Sequence, residues 1–226
     1  MLKGLLEMRY LPSDKYTIAW FKLAECVARG ERERALGVYR LLVHSFDDPA
    51  FARQLEGDIV LAFDDKPVAI ERYREAAALY VSTSRLLEAA AVYEHVLALS
   101  PDKQEYLSIL AHLYTDLSMP SKAIAHLHAL IALAIGIHDM QAALAALDHM
   151  SRLSAPQDMV GIRQQVVYAL ISSDYPHDLI VSHIHHLIDG LLLECEQKNL
   201  QQFLAYLQGQ SEELYKKARF HLENKA

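Results

Sequence analysis

The seven prolines set a ruler along this chain. They stand at 12, 49, 67, 101, 120, 156 and 176, so the gaps are 37, 18, 34, 19, 36 and 20 residues, each near one or two steps of about 18. Proline fits the first turn of a helix and breaks one further in, so each is expected to mark a helix start. The three double gaps carry turn signals of their own: Gly30, Ser-Thr-Ser at 82–84 and Gly-Ile-His-Asp at 136–139. Helix starts then recur about every 18 residues from Pro12 to Pro176, and the chain must fold as a series of short helices of similar length.

The segments between the prolines support this. Phe51, Leu55, Ile59 and Phe63 form one stripe, and Tyr106, Leu110, Leu113 and Tyr114 another. Apolar residues at spacings of three and four are the pattern of an amphipathic helix. Asp48 precedes Pro49, and Asp102 with Glu105 has the spacing of a capping box. No segment shows the alternation of a half-buried strand. Gly and Pro together number 15 of 226 residues, about 7% where about 12% is usual.

Composition excludes several classes. Hydrophobic residues make up 52% and charged ones 23%, which is not the balance of a disordered chain. A net charge of −7 with no basic run argues against nucleic-acid binding, which needs a basic surface to displace counterions. Cys26 and Cys195 are too few for a disulfide framework and fit a reducing compartment. The N-terminal stretch lacks the apolar core of a signal peptide. The greasiest run, 127–137, is shorter than the roughly 20 residues a membrane span takes. The expected location is the cytoplasm.

The chain also resembles itself. Shifted by 54 residues, Ala35 falls on Ala89 and Ala143, Tyr39 on Tyr93 and Leu147, and Leu42 on Val96 and Met150. Ile59, Leu113 and Val167 align, as do Val60, Tyr114 and Tyr168, and Phe63, Leu117 and Ile171. This suggests three-helix modules near 12–66, 67–119 and 120–175. A period of 34 also finds matches: Ala77 with Ala111, Tyr80 with Tyr114, Ala89 with Ala123. Both periods stay open at this point. Equal helices with short connections bury their stripes most simply by serial stacking.

Within 70–101 the residues fall into a pattern. Tyr73, Ala77 and Tyr80 lie on one helix, then Ala89, Tyr93 and Pro101 on the next. This resembles the tetratricopeptide repeat (TPR), in which small residues let paired helices cross closely beside aromatic ones. An earlier copy offers Trp20, Leu23, Ala24, Val27, Ala35 and Tyr39; a later one offers Leu127, Ile131, Ala134, Ala143 and Leu147. The three hairpins lie 54 residues apart, whereas the family's regular spacing is 34. The resemblance implies an all-α, right-handed solenoid of about eleven or twelve antiparallel helices. It implies a protein or peptide partner held in a groove lined by Glu71, Arg74, Ala78 and Val81 on one helix and Glu105, Ser108, His112 and Thr115 on another. The family's carboxylate clamp is not expected, because Phe21 and Glu25 stand at the equivalent positions.

Chemistry-bearing residues are few. Eleven of the twelve histidines follow residue 94. His183 and His186, with Asp189 after them, share a helix face at a spacing that suits a metal, and His177 with Asp178 lies nearby. A partly exposed helix face, with His185 turned elsewhere, explains them as well. His138–Asp139 resembles the metal-binding pair of helical HD phosphohydrolases, with His112 as an upstream ligand, but that family's Gly-Lys is replaced by Met140–Gln141. A turn explains the same residues: Gly136 ends one helix and Asp139 caps the next. No phosphate loop or nucleophile elbow is present, and Cys26 reads as a structural thiol within a helix. No catalytic, cofactor or metal residue is assigned.

From Pro176 the helices lengthen, with an apolar stripe of Leu179, Ile180, Ile184, Leu187, Leu191 and Leu192, and a break at 208–211. Residues 176–226 are expected to cap the repeats of 1–175 within one domain, or to form a homodimer surface. The expected function is a non-enzymatic scaffold, adaptor or chaperone-like protein. The alternatives are a structural subunit of a larger assembly and a metal-dependent HD-type hydrolase.

Overall fold

The computed structural model describes residues 14–173, 175–193 and 197–225, with side chains from Thr17 onward. Pro12 and Cys195 lie outside the described residues. Among the described residues twelve α-helices follow one another: α1 Asp14–Ala28, α2 Arg32–Leu42, α3 Pro49–Ala62, α4 Lys66–Ser82, α5 Leu86–Leu99, α6 Gln104–Asp116, α7 Pro120–Gly136, α8 Met140–Ser151, α9 Val160–Ser172, α10 His177–Leu193, α11 Gln197–Gln210 and α12 Glu212–Glu223. Short 3-10 turns occupy Val43–Ser45 and Gln157–Met159. No strand occurs among the described residues.

The joins from α1 to α9 are of two kinds. In the tight kind, the chain passes through one left-handed residue: Gly30, Asp64, Ser84, Ser118 and His138, with φ between 56° and 72°. Each is followed by an N–H that donates to the carbonyl five residues back: Glu31 to Cys26, Asp65 to Val60, Arg85 to Tyr80, Met119 to Tyr114 and Asp139 to Ala134. This is the Schellman arrangement, which satisfies carbonyls orphaned at a helix end. The other kind is wider: residues 43–48, 100–103 and 152–159.

These joins recur with a period of 54. Gly30, Ser84 and His138 are 54 residues apart, and so are Asp64 and Ser118. Two tight turns and one wide join therefore make a step of three helices. A period does not fix where a module begins. The wide joins offer starts at Pro49 and Gln104, whereas the expected modules begin at 12, 67 and 120.

Several helix-start expectations take a different form. Pro49 and Pro120 begin their helices and Pro67 sits in the first turn of α4. Asp48 caps α3, accepting from the Ala50 and Phe51 amides at 3.0 and 3.2 Å. Asp102 does not cap: α6 starts two residues later, behind Lys103, with no side-chain cap. Pro101 lies in the join, Pro156 opens a 3-10 turn and Pro176 stands before α10. Gly136 is the last residue of α7, but the left-handed residue is His138.

The chain divides into two compact units, one ending at Pro101 and the other starting at Asp102. In the first, α1 pairs with α2, and α4 packs against both α3 and α5. Leu23, Ala35, Tyr39, Leu42 and Ile59 form one core cluster, with Trp20, Cys26 and Phe46 against it. Cys26 is half-buried there. Around α4 the core is Ala69, Tyr73, Ala76, Ala77 and Tyr80 with Ala89, Ala90, Tyr93 and Val96. The alanines let backbones approach while the tyrosines fill the space beside them. Gly57 on α3 shows how close: a Cβ there would stand 2.7 Å from the Tyr73 ring. This shifts the buried face of α3 to Ala50, Ala52, Gly57, Ile59 and Val60. Phe51, expected in the apolar stripe, is exposed and meets Phe46 edge-on at 5.4 Å.

In the second unit α7 packs against both α6 and α8, and α10 contacts α9, α11 and α12. Tyr106, Leu110, Leu113 and Tyr114 are buried as the stripe predicts. The C-terminal stripe buries Ile180, Ile184, Leu187 and Leu191 but leaves Leu179 and Leu192 exposed. The break falls at Ser211, whose hydroxyl caps α12 by accepting from the Leu214 amide. No described helix is long and apolar enough to cross a membrane.

Candidate functional site

In the first unit, α3 and α5 flank α4 and leave a cleft of about 400 Å³ above it. Tyr73, Tyr80 and Val92 line it and are buried; Asp58, Glu88, Ala91 and His95 line it and are exposed. The tyrosines are fixed in place. The Tyr73 hydroxyl donates to Asp58 Oδ1 at 2.7 Å, and the Tyr80 hydroxyl donates to Gln54 Oε1 at 3.1 Å. The His95 ring meets the Tyr73 ring edge-on at 4.9 Å. Burial, then the Asp58 carboxylate, raises the Tyr73 phenol above its ordinary value, and burial also raises Tyr80. Both phenols therefore stay neutral donors.

An ion network borders the cleft. Arg85 bonds Asp48 at 2.5 Å and Glu88 at 3.1 Å, and its guanidinium lies 4.4 Å from the centre of the Tyr80 ring. Burial works to raise Asp48, but Arg85 and the capping amides outweigh it and hold the carboxyl below its usual value. A second network ties α3 to α4: Arg53 pairs with Glu56 and Glu75, and Arg72 with Glu75.

The expected groove residues lie elsewhere. Glu71, Arg74, Ala78 and Val81 are all exposed, in one row along α4. At 3.6 residues per turn that row points away from the face carrying Tyr73 and Tyr80, so it does not line the cleft. On α6, Glu105 and His112 are exposed and Ser108 and Thr115 half-buried. His112 stacks on His149 of α8 at 4.6 Å. Thr115 donates to the Ala111 carbonyl at 2.8 Å, so its oxygen accepts the Nε2–H of His149, 3.1 Å away. That assigns the tautomer. His149 is the one buried histidine among the described residues, 8% exposed, and burial, then His112, lowers its pKa. The α4 row belongs to the first unit and the α6 row to the second.

The histidine cluster divides between two neighbours. His183 is lowered to about 4 by burial, then by Arg163 of α9. Asp189 turns to α12, where His221 donates to it at 2.9 Å and Lys225 approaches to 3.1 Å. His185 stacks on His221 at 4.0 Å, so it accompanies Asp189 to α12, and His183 does not. No group of three or more metal-ligand side chains forms among the described residues. His138 and Asp139 serve the turn: His138 is left-handed and Asp139 accepts from the Ala142 amide at 3.0 Å.

The cleft was missed in the sequence because its walls come from three helices. Tyr73 and Tyr80 were legible as core residues. That Asp58 and Gln54 meet their hydroxyls depends on how α3 slides along α4, which Gly57 permits.

No protein-family model and no curated protein matches the chain. Solved structures do. The kinesin light chain TPR-like repeats of Podosopora anserina are 14% identical, with 93% of this chain and 96% of that one covered, at a TM-score of 0.35. A tetratricopeptide repeat protein from Parabacteroides merdae is 14% identical, covering 92% and 100%, at 0.28. MamA from Desulfovibrio magneticus is 15% identical, covering 82% and 98%, at 0.27. The chain is similar to TPR-like helical repeats.

Proposed function

We propose that this chain is a non-enzymatic interaction scaffold, an adaptor or chaperone-like protein of the cytoplasm, which holds a segment of a partner protein. The observation that carries this reading is the α3–α4–α5 cleft. Its buried phenols are already hydrogen-bonded, and its mouth offers exposed polar groups. Such a concave site with a few placed polar groups suits recognition. The exposed α4 row of Glu71, Arg74, Ala78 and Val81 is a second contact face in this proposal, and the α6 row of Glu105, Ser108, His112 and Thr115 a third. Self-association through the C-terminal helices also belongs to it, supported by exposed Leu193 and Phe220; sedimentation at two concentrations tests that part.

The test is an unbiased one. A random peptide library displayed on phage is selected against the full chain, and enriched peptides are titrated into wild type, Ala91→Trp and Arg74→Glu. Ala91 is exposed at the cleft, so tryptophan fills the site without entering the core. Loss of at least tenfold in affinity with Ala91→Trp is expected. A selection that enriches nothing, or peptides indifferent to both variants, overturns the proposal.

A further inference from the structure

The charge of the cleft says more than its shape. Among its lining residues there are two carboxylates, Asp58 and Glu88, and no lysine or arginine. Arg53 of α3 and Arg72 of α4 are engaged by Glu56 and Glu75, and Arg74 lies in the exposed row of α4 that points away from the cleft. Arg85, at the border, is shared between Asp48 and Glu88. Counting Asp48, Asp58 and Glu88 against Arg85 leaves two uncompensated negative charges around an aromatic floor.

We propose that this cleft is a binding site for the arginine side chain of a basic peptide segment. The inference rests on the scaffold reading and names the partner chemistry of the same site. A guanidinium is planar, donates in a fork that matches a carboxylate, and stacks on aromatic faces. The chain already displays this chemistry within itself: Arg85 lies over the Tyr80 ring while bonding two carboxylates. The far side of the cleft repeats the parts without the cation, with Asp58 beside the Tyr73 ring and the His95 ring standing edge-on to it. A volume of about 400 Å³ is within the usual range for ligand clefts, roughly 300–1,000 Å³, and admits one long side chain with its flanking backbone. An acidic segment would meet Asp58 and Glu88 with like charge. Lysine, a point charge without the fork, is expected to bind more weakly.

The test uses fluorescein-labelled ten-residue Gly-Ser peptides carrying three arginines, three lysines, three glutamates or no charge, titrated into the full chain by anisotropy. The expected order is arginine, then lysine, with the neutral and glutamate peptides at least tenfold weaker than arginine. The double variant Asp58→Asn, Glu88→Gln keeps an acceptor for the Tyr73 hydroxyl and should weaken the arginine peptide at least tenfold. Its fold is checked by circular dichroism, and Ala91→Trp supplies an independent block. The control removes the same charge from the second unit: Glu212→Gln, Glu213→Gln on α12, where both carboxylates are exposed. The control should leave affinity within twofold. Equal loss in both double variants would mean general attraction by an acidic protein and overturns the inference. Library peptides that are blocked by Ala91→Trp but carry no basic residue also overturn it, while leaving the scaffold reading standing.

Discussion

His183 is held neutral by its surroundings. Burial lowers its pKa to about 4, and the positive charge of Arg163 and the neighbouring His186 push the same way. Its Nδ1 is buried with no hydrogen-bond partner among the described residues, so protonation gains nothing locally. The unfolded chain takes up this proton near pH 6.5, and the folded chain only near 4. Between those values the unfolded state binds more protons, so stability falls as pH falls. The contribution is fully present above about 6.5 and lost by about 4. A shift of this size corresponds to about 3 kcal/mol. Urea denaturation at pH 7, 5.5 and 4.5 should show that decline, and His183→Gln should flatten it. A variant with the wild-type slope would place the proton elsewhere.

At the scale of the element, four of the five tight turns force a side chain into the left-handed region: Asp64, Ser84, Ser118 and His138. Glycine is the residue with no steric penalty there, and only Gly30 supplies it. Ser118→Gly is therefore expected to stabilise the chain by about 0.5–1 kcal/mol, and Gly30→Ala to destabilise it by about 1 kcal/mol. A Cβ at Gly30 would meet no atom within 4 Å, so the loss is backbone strain alone. Thermal melts of the two variants should move in opposite directions; a lower melting point for Ser118→Gly would mean its hydroxyl outweighs the strain. These turns also mark the limit of what was legible in the sequence. The helices were readable because proline spacing and apolar periodicity act locally. The turns near 30, 84 and 138 carried local signals. Those at Asp64 and Ser118 were not read as left-handed, although aspartate is among the residues that tolerate that region. Asp102 looked like a cap, but the chain needed two more residues to cross the wide join. The cleft was the least legible part, because no local rule predicts which wall residue on α3 meets which tyrosine on α4.

For the whole molecule, the two kinds of join should differ in stability. The tight turns are closed by five-back hydrogen bonds, while residues 101–103 of one wide join are all exposed. Local opening is easiest where few contacts hold the backbone. Hydrogen exchange followed by mass spectrometry should therefore show faster uptake at 100–103 than at 83–86 or 117–120. Uniform protection across both kinds of join would contradict this.

The 54-residue recurrence of the turns gives the chain its own unit of length. Adding or removing one helix of about 18 residues would bring a wide join to a place built for a left-handed turn, and the helix after it would start out of phase. A change of 54 residues would preserve every turn type. Natural relatives, where they vary in length, are then expected to differ in whole triplets of helices, and growth by duplication is the route that leaves each surviving turn as it was.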